Sequence, residues 1–397
     1  MSKYNYIIIG GGIVGLSTAM ALSQKFPSAK IALLEKERSW AAHQTGHNSG
    51  IIHSGIYYQP QSYKAKLCRQ GNQSMVAFCE QHHIDYNICG KVIVATQEWE
   101  LPLLDNLYAR GIANEVEVRK LAPEQVKEIE PHVSCLAAIW VKSTGIVDYK
   151  QVCLKYAEVA QENSVDLVYD TCVRKIRSVE GGYILETNKK EYQTEFLINC
   201  AGLYSDRLTQ LAKIKPPAKI VPFRGEYYKL IPEKRYLVNG AIYPVPNPNF
   251  PFLGVHFHPG VDGNVYAGPN AVLGFKREAY NKFDFDFKDF FDTMTYSGFW
   301  KLAIKYPQEG LQEMIRSYSK AIFVRSLQRL IPEVTAQDIV PSPAGVRAQA
   351  LKSDGSMVED FLIINRDRAL HVCNAPSPAA TASIEIGKYI VAQIVIP

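Results

Sequence analysis

Between an apolar, β-branched run, Tyr4 to Ile9, and a segment of small and apolar residues, Leu16 to Gln24, the chain carries Gly10-x-Gly12-x-x-Gly15. The order predicts strand, tight turn and helix. The first glycine permits the bend, the second lets the backbone approach a pyrophosphate, and the third lets helix and strand pack closely. The helix N-terminus then offers unpaired N–H groups and a partial positive charge to the phosphates. Glycine-rich turns are common, so context decides. Lys30 to Leu34 form a second apolar strand ending at Glu35, twenty residues after Gly15, where a ribose-binding acid belongs. A carboxylate there accepts hydrogen bonds from both ribose hydroxyls and repels a 2′-phosphate.

The turn does not choose between NAD and FAD. The next stretch does. Trp40 to Tyr58 reads WAAHQTGHNSGIIHSGIYY, with Thr45, Asn48 and Ser49 as donors and His43, His47 and His53 as chemically capable groups. Such a segment adds contacts along an extended cofactor such as FAD. The plain alternative is a polar surface loop.

A chain of 397 residues predicts two or three folded units. With 47% hydrophobic and 21% charged residues it lies far from disordered compositions. The net charge of +5 is spread along the chain and gives no case for nucleic acid. Eight cysteines show no C-x-x-C pair, which predicts reduced thiols in a cytoplasmic protein. Tyr6 to Leu22 is almost free of charge, but Gly10 to Gly12 interrupt the apolar helix that a secretory signal needs. No run of about 18 apolar residues occurs, so no membrane span is expected.

Further strands are expected at Asp166 to Val168, Cys172 to Ile176, Tyr183 to Thr187 and Glu195 to Cys200, with a hairpin at Gly181-Gly182. The last ends in Ala201-Gly202, small enough for close backbone approach to a ligand. From Ala336 the chain again reads as cofactor-associated, with Leu370 to Cys373 a strand and about Ala379 to Ile394 a helix. That helix follows Pro376-Ser377-Pro378 and opens on Ala379 and Ala380, so its dipole would face the pyrimidine end of a flavin. The expected architecture is α/β with an α+β insertion. A discontinuous Rossmann-like FAD-binding domain takes 1–84, 145–218 and 336–397, and a mixed or antiparallel-sheet substrate domain takes 85–144 and 219–335. Asp284 to Arg329 is aromatic and partly helical. Its stripe is core, or an amphipathic surface for a membrane or partner.

Several segments carry a resemblance. IIIGGGIVGLSTA with Glu35, AHQTGHNSGIIHSGIYY, INCAGLYSD, PFRGEYYKL, FPFLGVHFHPGVDGNVYAGPNAVLGFKRE and SPAGVRAQA resemble the L-2-hydroxyglutarate dehydrogenase/oxidase family of D-amino-acid-oxidase-like flavoproteins, almost end to end. The resemblance implies oxidation of L-2-hydroxyglutarate to 2-oxoglutarate by hydride transfer to flavin N5, with electrons passed to a membrane quinone or to oxygen. A location peripheral to the inner membrane face goes with the quinone. It also implies that Gly10, Gly12, Gly15 and Glu35 hold the ADP half. Thr45, Gly46, His47, Asn48, Ser49 and Gly50 would line the flavin, and Val173 would meet the adenine. No cysteine matches a flavin attachment site, so FAD is expected to be non-covalent. An arginine for the substrate carboxylate falls at Arg347 in Gly345-Val346-Arg347-Ala348, without the proline that follows it in amine-oxidizing relatives.

A 2-hydroxydicarboxylate needs two cations and a base. Arg347 is the first candidate for the carboxylate beside C2, because a guanidinium grips a carboxylate bidentately. Arg224 is the candidate for the distal one, with a salt bridge to Glu226 as its alternative. His53 and His256 are candidate bases, since imidazole titrates near working pH. Tyr243 and Asn270 are expected to line the pocket. His256 and His258 share a strand face, but no third ligand lies nearby and no metal is expected. An amine oxidase acting on glycine, sarcosine or a D-amino acid is the competing function, and a non-catalytic FAD-binding electron relay is a second.

Overall fold

The structure is a computed structural model and describes residues 2–248 and 253–394. Met1, 395–397 and the Phe250-Pro251-Phe252 part of one motif lie outside the described residues. β1 (Ser2–Ile9), α1 (Ile13–Lys25) and β2 (Ile31–Leu34) follow the expected order. β1 runs parallel to β2, Tyr6 beside Ile31, and parallel to the strand Glu191–Asn199, Tyr6 beside Phe196. Asp166–Val168 extends the sheet beyond β2, and Ala369–Asn374 extends it on the other side. The hairpin Val173–Val179 and Gly182–Thr187 adds an antiparallel arm, turning at Gly181 with φ +79°.

A parallel sheet buries both faces, which explains the near-continuous apolar strands. One face is covered by α1 with the helices Tyr149–Glu162 and Ser383–Ala392, through Leu16, Leu22, Val152, Ile386 and Ile390. The small residues of α1 serve this packing. A Cβ added at Gly387 would lie 2.7 Å from the Ser17 carbonyl oxygen. The opposite face packs Ile7, Ile9, Leu185 and Leu208. All eight cysteines are unpaired thiols, five of them buried.

The second sheet has nine strands, antiparallel except where Ala241–Pro244 runs parallel to Lys91–Ala95. Its longest pair joins Lys219–Leu230 to Ile339–Leu351, with Phe223 beside Arg347. The boundary expected at 336 is therefore corrected, because residues 339–351 belong to the substrate-side sheet. Pro341 and Pro343 disguise this strand. They are tolerated because it pairs with one neighbour only, at an edge. The C-terminal helix also starts later than expected, at Ser383. Ala379 to Ala382 form tight turns instead, with the Ala379 N–H donating to Pro376 O and that of Ala382 to Pro378 O. Four helices between Phe287 and Gln328 lie over the second sheet.

Candidate active site

A cavity of about 1560 Å³ is lined by residues of both sheets. At one end, Gly10 to Val14 and Glu35 line it. A Cβ at Gly10 would meet the Cys200 carbonyl oxygen at 2.5 Å, and one at Gly15 the Gly10 oxygen at 1.9 Å, so these glycines close the turn. Gly15 packs behind the lining. The Gly11 N–H donates to Glu35 Oε2 at 2.6 Å, and the Glu37 N–H to its Oε1 at 2.8 Å. The first turn of α1 contains no acid, and Gly12 at its N-cap offers no side chain. Thr45 fills that role from the following loop, its Oγ1 accepting the Ile13 N–H at 3.0 Å. Val173 lines the same end, as do Ala201 and Gly202. Open backbone donors, a helix N-terminus without an acid and a carboxylate beyond the second strand fit the ADP half of FAD.

The middle of the cavity is bordered by Thr45, His47, Asn48 and Ser49 on one side and by Ser377, Pro378, Ala379 and Ala380 on the other. Gly46 and Gly50 are set back. A Cβ on Gly46 would meet the Ala41 oxygen at 2.4 Å, and Gly50 has φ +66°. Their role is to shape the loop. Gly345 lets the edge strand cross this loop, since a Cβ there would lie 2.4 Å from the His47 oxygen.

The far end gathers His53, Tyr243, His256 and Arg347. His53 Nε2 lies 3.2 Å from the Ser377 hydroxyl. Burial, helped by the charge of Lys91, lowers its pKa to about 3. His256 stacks on Tyr243 at 3.8 Å between ring centroids, and burial holds it well below the usual imidazole value. With Nδ1–H donating to the Gly254 carbonyl at 3.0 Å, its Nε2 keeps the lone pair. Both imidazoles are neutral at pH 7, with a nitrogen lone pair free. The expectation that they titrate near working pH is corrected, because burial disfavours the imidazolium and makes each a weaker base than a solvated histidine. Burial also lowers the pKa of Arg347, although a guanidinium stays charged at working pH.

Two expected substrate contacts lie elsewhere. Arg224 is held by Glu226 at 3.0 Å and by the Asn281 carbonyl, and Asn270 is hydrogen bonded to Glu226 at both ends of its amide. By strand alternation Arg224 shares a face with its cross-strand partner Val346, whereas Arg347, paired with Phe223, lies on the opposite face, and of the two arginines Arg347 lines the cavity. Sequence reasoning also missed Lys91, a buried ammonium lying 4.6 Å and 5.1 Å from the ring centroids of Tyr57 and Tyr243. A lysine opening the apolar strand KVIVA was the available signal. Glu37, His43 and Glu278 cluster as three possible metal donors, but the Lys36 ammonium pairs with both carboxylates.

The profile described as FAD dependent oxidoreductase (DAO) matches residues 5–393. The L-2-hydroxyglutarate dehydrogenase of Indibacter alkaliphilus is 48% identical over 97% of each chain. That of Escherichia coli K12 is 45% identical over 98% of this chain and 93% of its own. Among solved structures, the FAD-bound L-alpha-glycerophosphate oxidase of Mycoplasma pneumoniae superposes with a TM-score of 0.81 at 25% identity, covering 98% of this chain and 94% of that one. The chain is therefore an FAD-dependent oxidoreductase of the DAO fold and belongs to the L-2-hydroxyglutarate dehydrogenase family.

Proposed function

We propose that this protein oxidises L-2-hydroxyglutarate to 2-oxoglutarate. The carrying observation is the convergence of Arg347 with two neutral imidazoles at one end of a cavity whose other end fits ADP. FAD, held without a covalent link, supplies the acceptor for the hydrogen on C2. Arg347 grips the carboxylate beside C2 and fixes that carbon. His53 or His256 takes the hydroxyl proton, and burial keeps that nitrogen unprotonated across the working range. Ser377 orients His53, and Tyr243 orients His256 by stacking.

The test is anaerobic mixing of the purified protein with L-2-hydroxyglutarate, its D isomer and glycine. Loss of the yellow colour with the L isomer alone is expected. Bleaching by glycine alone would move the protein to the amine oxidases, and a yellow protein that ignores all three would suit a non-catalytic relay. Yellow colour released into the supernatant on denaturation is expected for non-covalent FAD.

For the acceptor, a membrane quinone is supported by the helical segment over the second sheet and the turn that leads into it. Phe283, Phe287, Ile304 and Tyr318 are 86%, 73%, 75% and 69% exposed. Phe287 and Phe291 also border the cavity. No helix among the described residues is long and apolar enough to cross a membrane, so this face would rest on a bilayer as a peripheral contact. Sedimentation with phospholipid vesicles, lost in a Phe287→Ser/Phe291→Ser variant, tests it. Vesicle-independent reoxidation by oxygen alone would favour an oxidase.

A further inference from the structure

Lys91 is 1% exposed, and its Nζ makes no hydrogen bond. No carboxylate among the described residues pairs with it. The groups that act on its charge are the thiols of Cys68 and Cys89, which burial pushes to about 12 and about 11 and so keeps neutral. The rings of Tyr57 and Tyr243 face the ammonium, and His53 lies close enough for its pKa to be lowered by the Lys91 charge. Burying an ammonium without an anion is costly, and two aromatic faces offset only part of that cost. Lys64 offers a contrast. It lines the cavity, but Asp360 and Glu359 supply its negative charge. Lys91 has no acid beside it among the described residues. It does not itself line the cavity, but Tyr243, whose ring it faces, and His53, whose pKa its charge helps to lower, both do.

A 2-hydroxydicarboxylate brings two negative charges. Arg347 answers one, and Arg224 is already bound to Glu226. We propose that Lys91 is a specificity-determining residue for the second carboxylate. Its ammonium, seated against Tyr57 and Tyr243, is the counter-charge that makes this site prefer a 2-hydroxydicarboxylate to a 2-hydroxymonocarboxylate. The proposal rests on the reading of the site as an L-2-hydroxyglutarate site.

The experiment compares L-2-hydroxyglutarate with L-2-hydroxybutyrate in the FAD-loaded wild type, Lys91→Met and Lys91→Arg. For Lys91→Met, KM for the dicarboxylate should rise about tenfold or more, with KM for the monocarboxylate changed less than about twofold. Lys91→Arg should restore much of the preference. Equal losses on both substrates, or none on either, would overturn the proposal.

A measurement on the wild type covers the case in which a variant does not fold. Burial lowers the Lys91 pKa to about 7. Binding of 2-oxoglutarate, read from the flavin spectrum, should therefore weaken up to about tenfold per unit from about pH 7 to about pH 9, while 2-oxobutyrate binding stays level. Lys64, which lines the cavity and whose pKa burial also lowers, is controlled by repeating the curves in Lys64→Met, where the difference between the two acids should persist. The remaining neighbours do not titrate in that window. His53, His256 and His258 are held low, and Cys68, Cys89, Tyr57 and Tyr243 are held high. Parallel pH curves for the two acids would overturn the role of Lys91. Failure of the wild type to oxidise L-2-hydroxyglutarate would instead remove the reading beneath it.

Discussion

Thr45 Oγ1 accepts the backbone N–H of Ile13 at 3.0 Å, so the loop expected to line the flavin caps the helix expected to hold the phosphates. One hydroxyl couples the two halves of the cofactor site. Thr45→Val should cost about 1 kcal/mol of stability, as loss of an N-cap does, and weaken FAD binding. Thr45→Ser should retain both. Thermal unfolding with and without added FAD separates the two effects, and a Val variant with wild-type FAD affinity would confine Thr45 to structure.

Glu35 is bonded to the Gly11 and Glu37 N–H groups, which point its carboxylate along the end of β2. Glu35→Ala removes charge-assisted bonds worth roughly 1.5–3 kcal/mol each. FAD affinity by equilibrium dialysis should fall at least about tenfold. Unchanged affinity would show that no ribose rests there.

The two arginines should behave oppositely. Arg347→Lys loses the bidentate grip and should raise KM about tenfold or more with folding intact. Arg224→Met removes the nearer of two cations from the buried Glu226, leaving Lys282 at 3.6 Å and the donors Ser317 and Asn270, and should lower Tm while KM stays near wild type. A large KM effect from Arg224→Met in a folded protein would return that residue to the substrate.

A general base contributes roughly 10²–10⁴-fold. His53→Ala and His256→Ala, measured by stopped-flow flavin reduction, should therefore separate, with the base variant slowed at least about a hundredfold and FAD still bound. If neither is slowed even about tenfold, the imidazole mechanism is wrong.

Stability should fall as the solution is acidified. Burial lowers His53 to about 3 and His258 and His371 to about 4, and holds His256 well below its usual value. Between about pH 6.5 and these values the unfolded chain binds protons that the folded chain does not, so acid favours unfolding. Glu130 works against this trend, because burial raises it to about 7 and the folded state takes up its proton first. Four groups against one should leave Tm at about pH 5 roughly 5 °C or more below that at about pH 7.5. A flat or rising Tm in calorimetry would contradict the buried, neutral state of these rings.

The opening strand, turn and helix were legible because their signals are local. Glycines at fixed offsets, an apolar run and an acid one strand later permit few other geometries, and the ADP end of the cavity follows from them. The edge strand at 339–351 was hidden because its prolines oppose strand propensity, and only pairing with Lys219–Leu230 overrides them. Chain order alone could not say which strand face reaches the cavity. Arg224 and Arg347 looked equivalent in sequence, and the alternation of paired strands sends one to Glu226 and the other to the site. Lys91 was missed for a related reason, although its place at the head of the apolar run KVIVA was a signal. A lysine at the start of a strand reads as solvated until Tyr57, Tyr243 and Cys68, brought from three other segments, close around it. The sequence by itself determined the nucleotide-binding unit, because that depends on backbone conformation over a few dozen residues. Tertiary structure alone decided which charges face the substrate, because burial and pairing are properties of segments that meet only on folding.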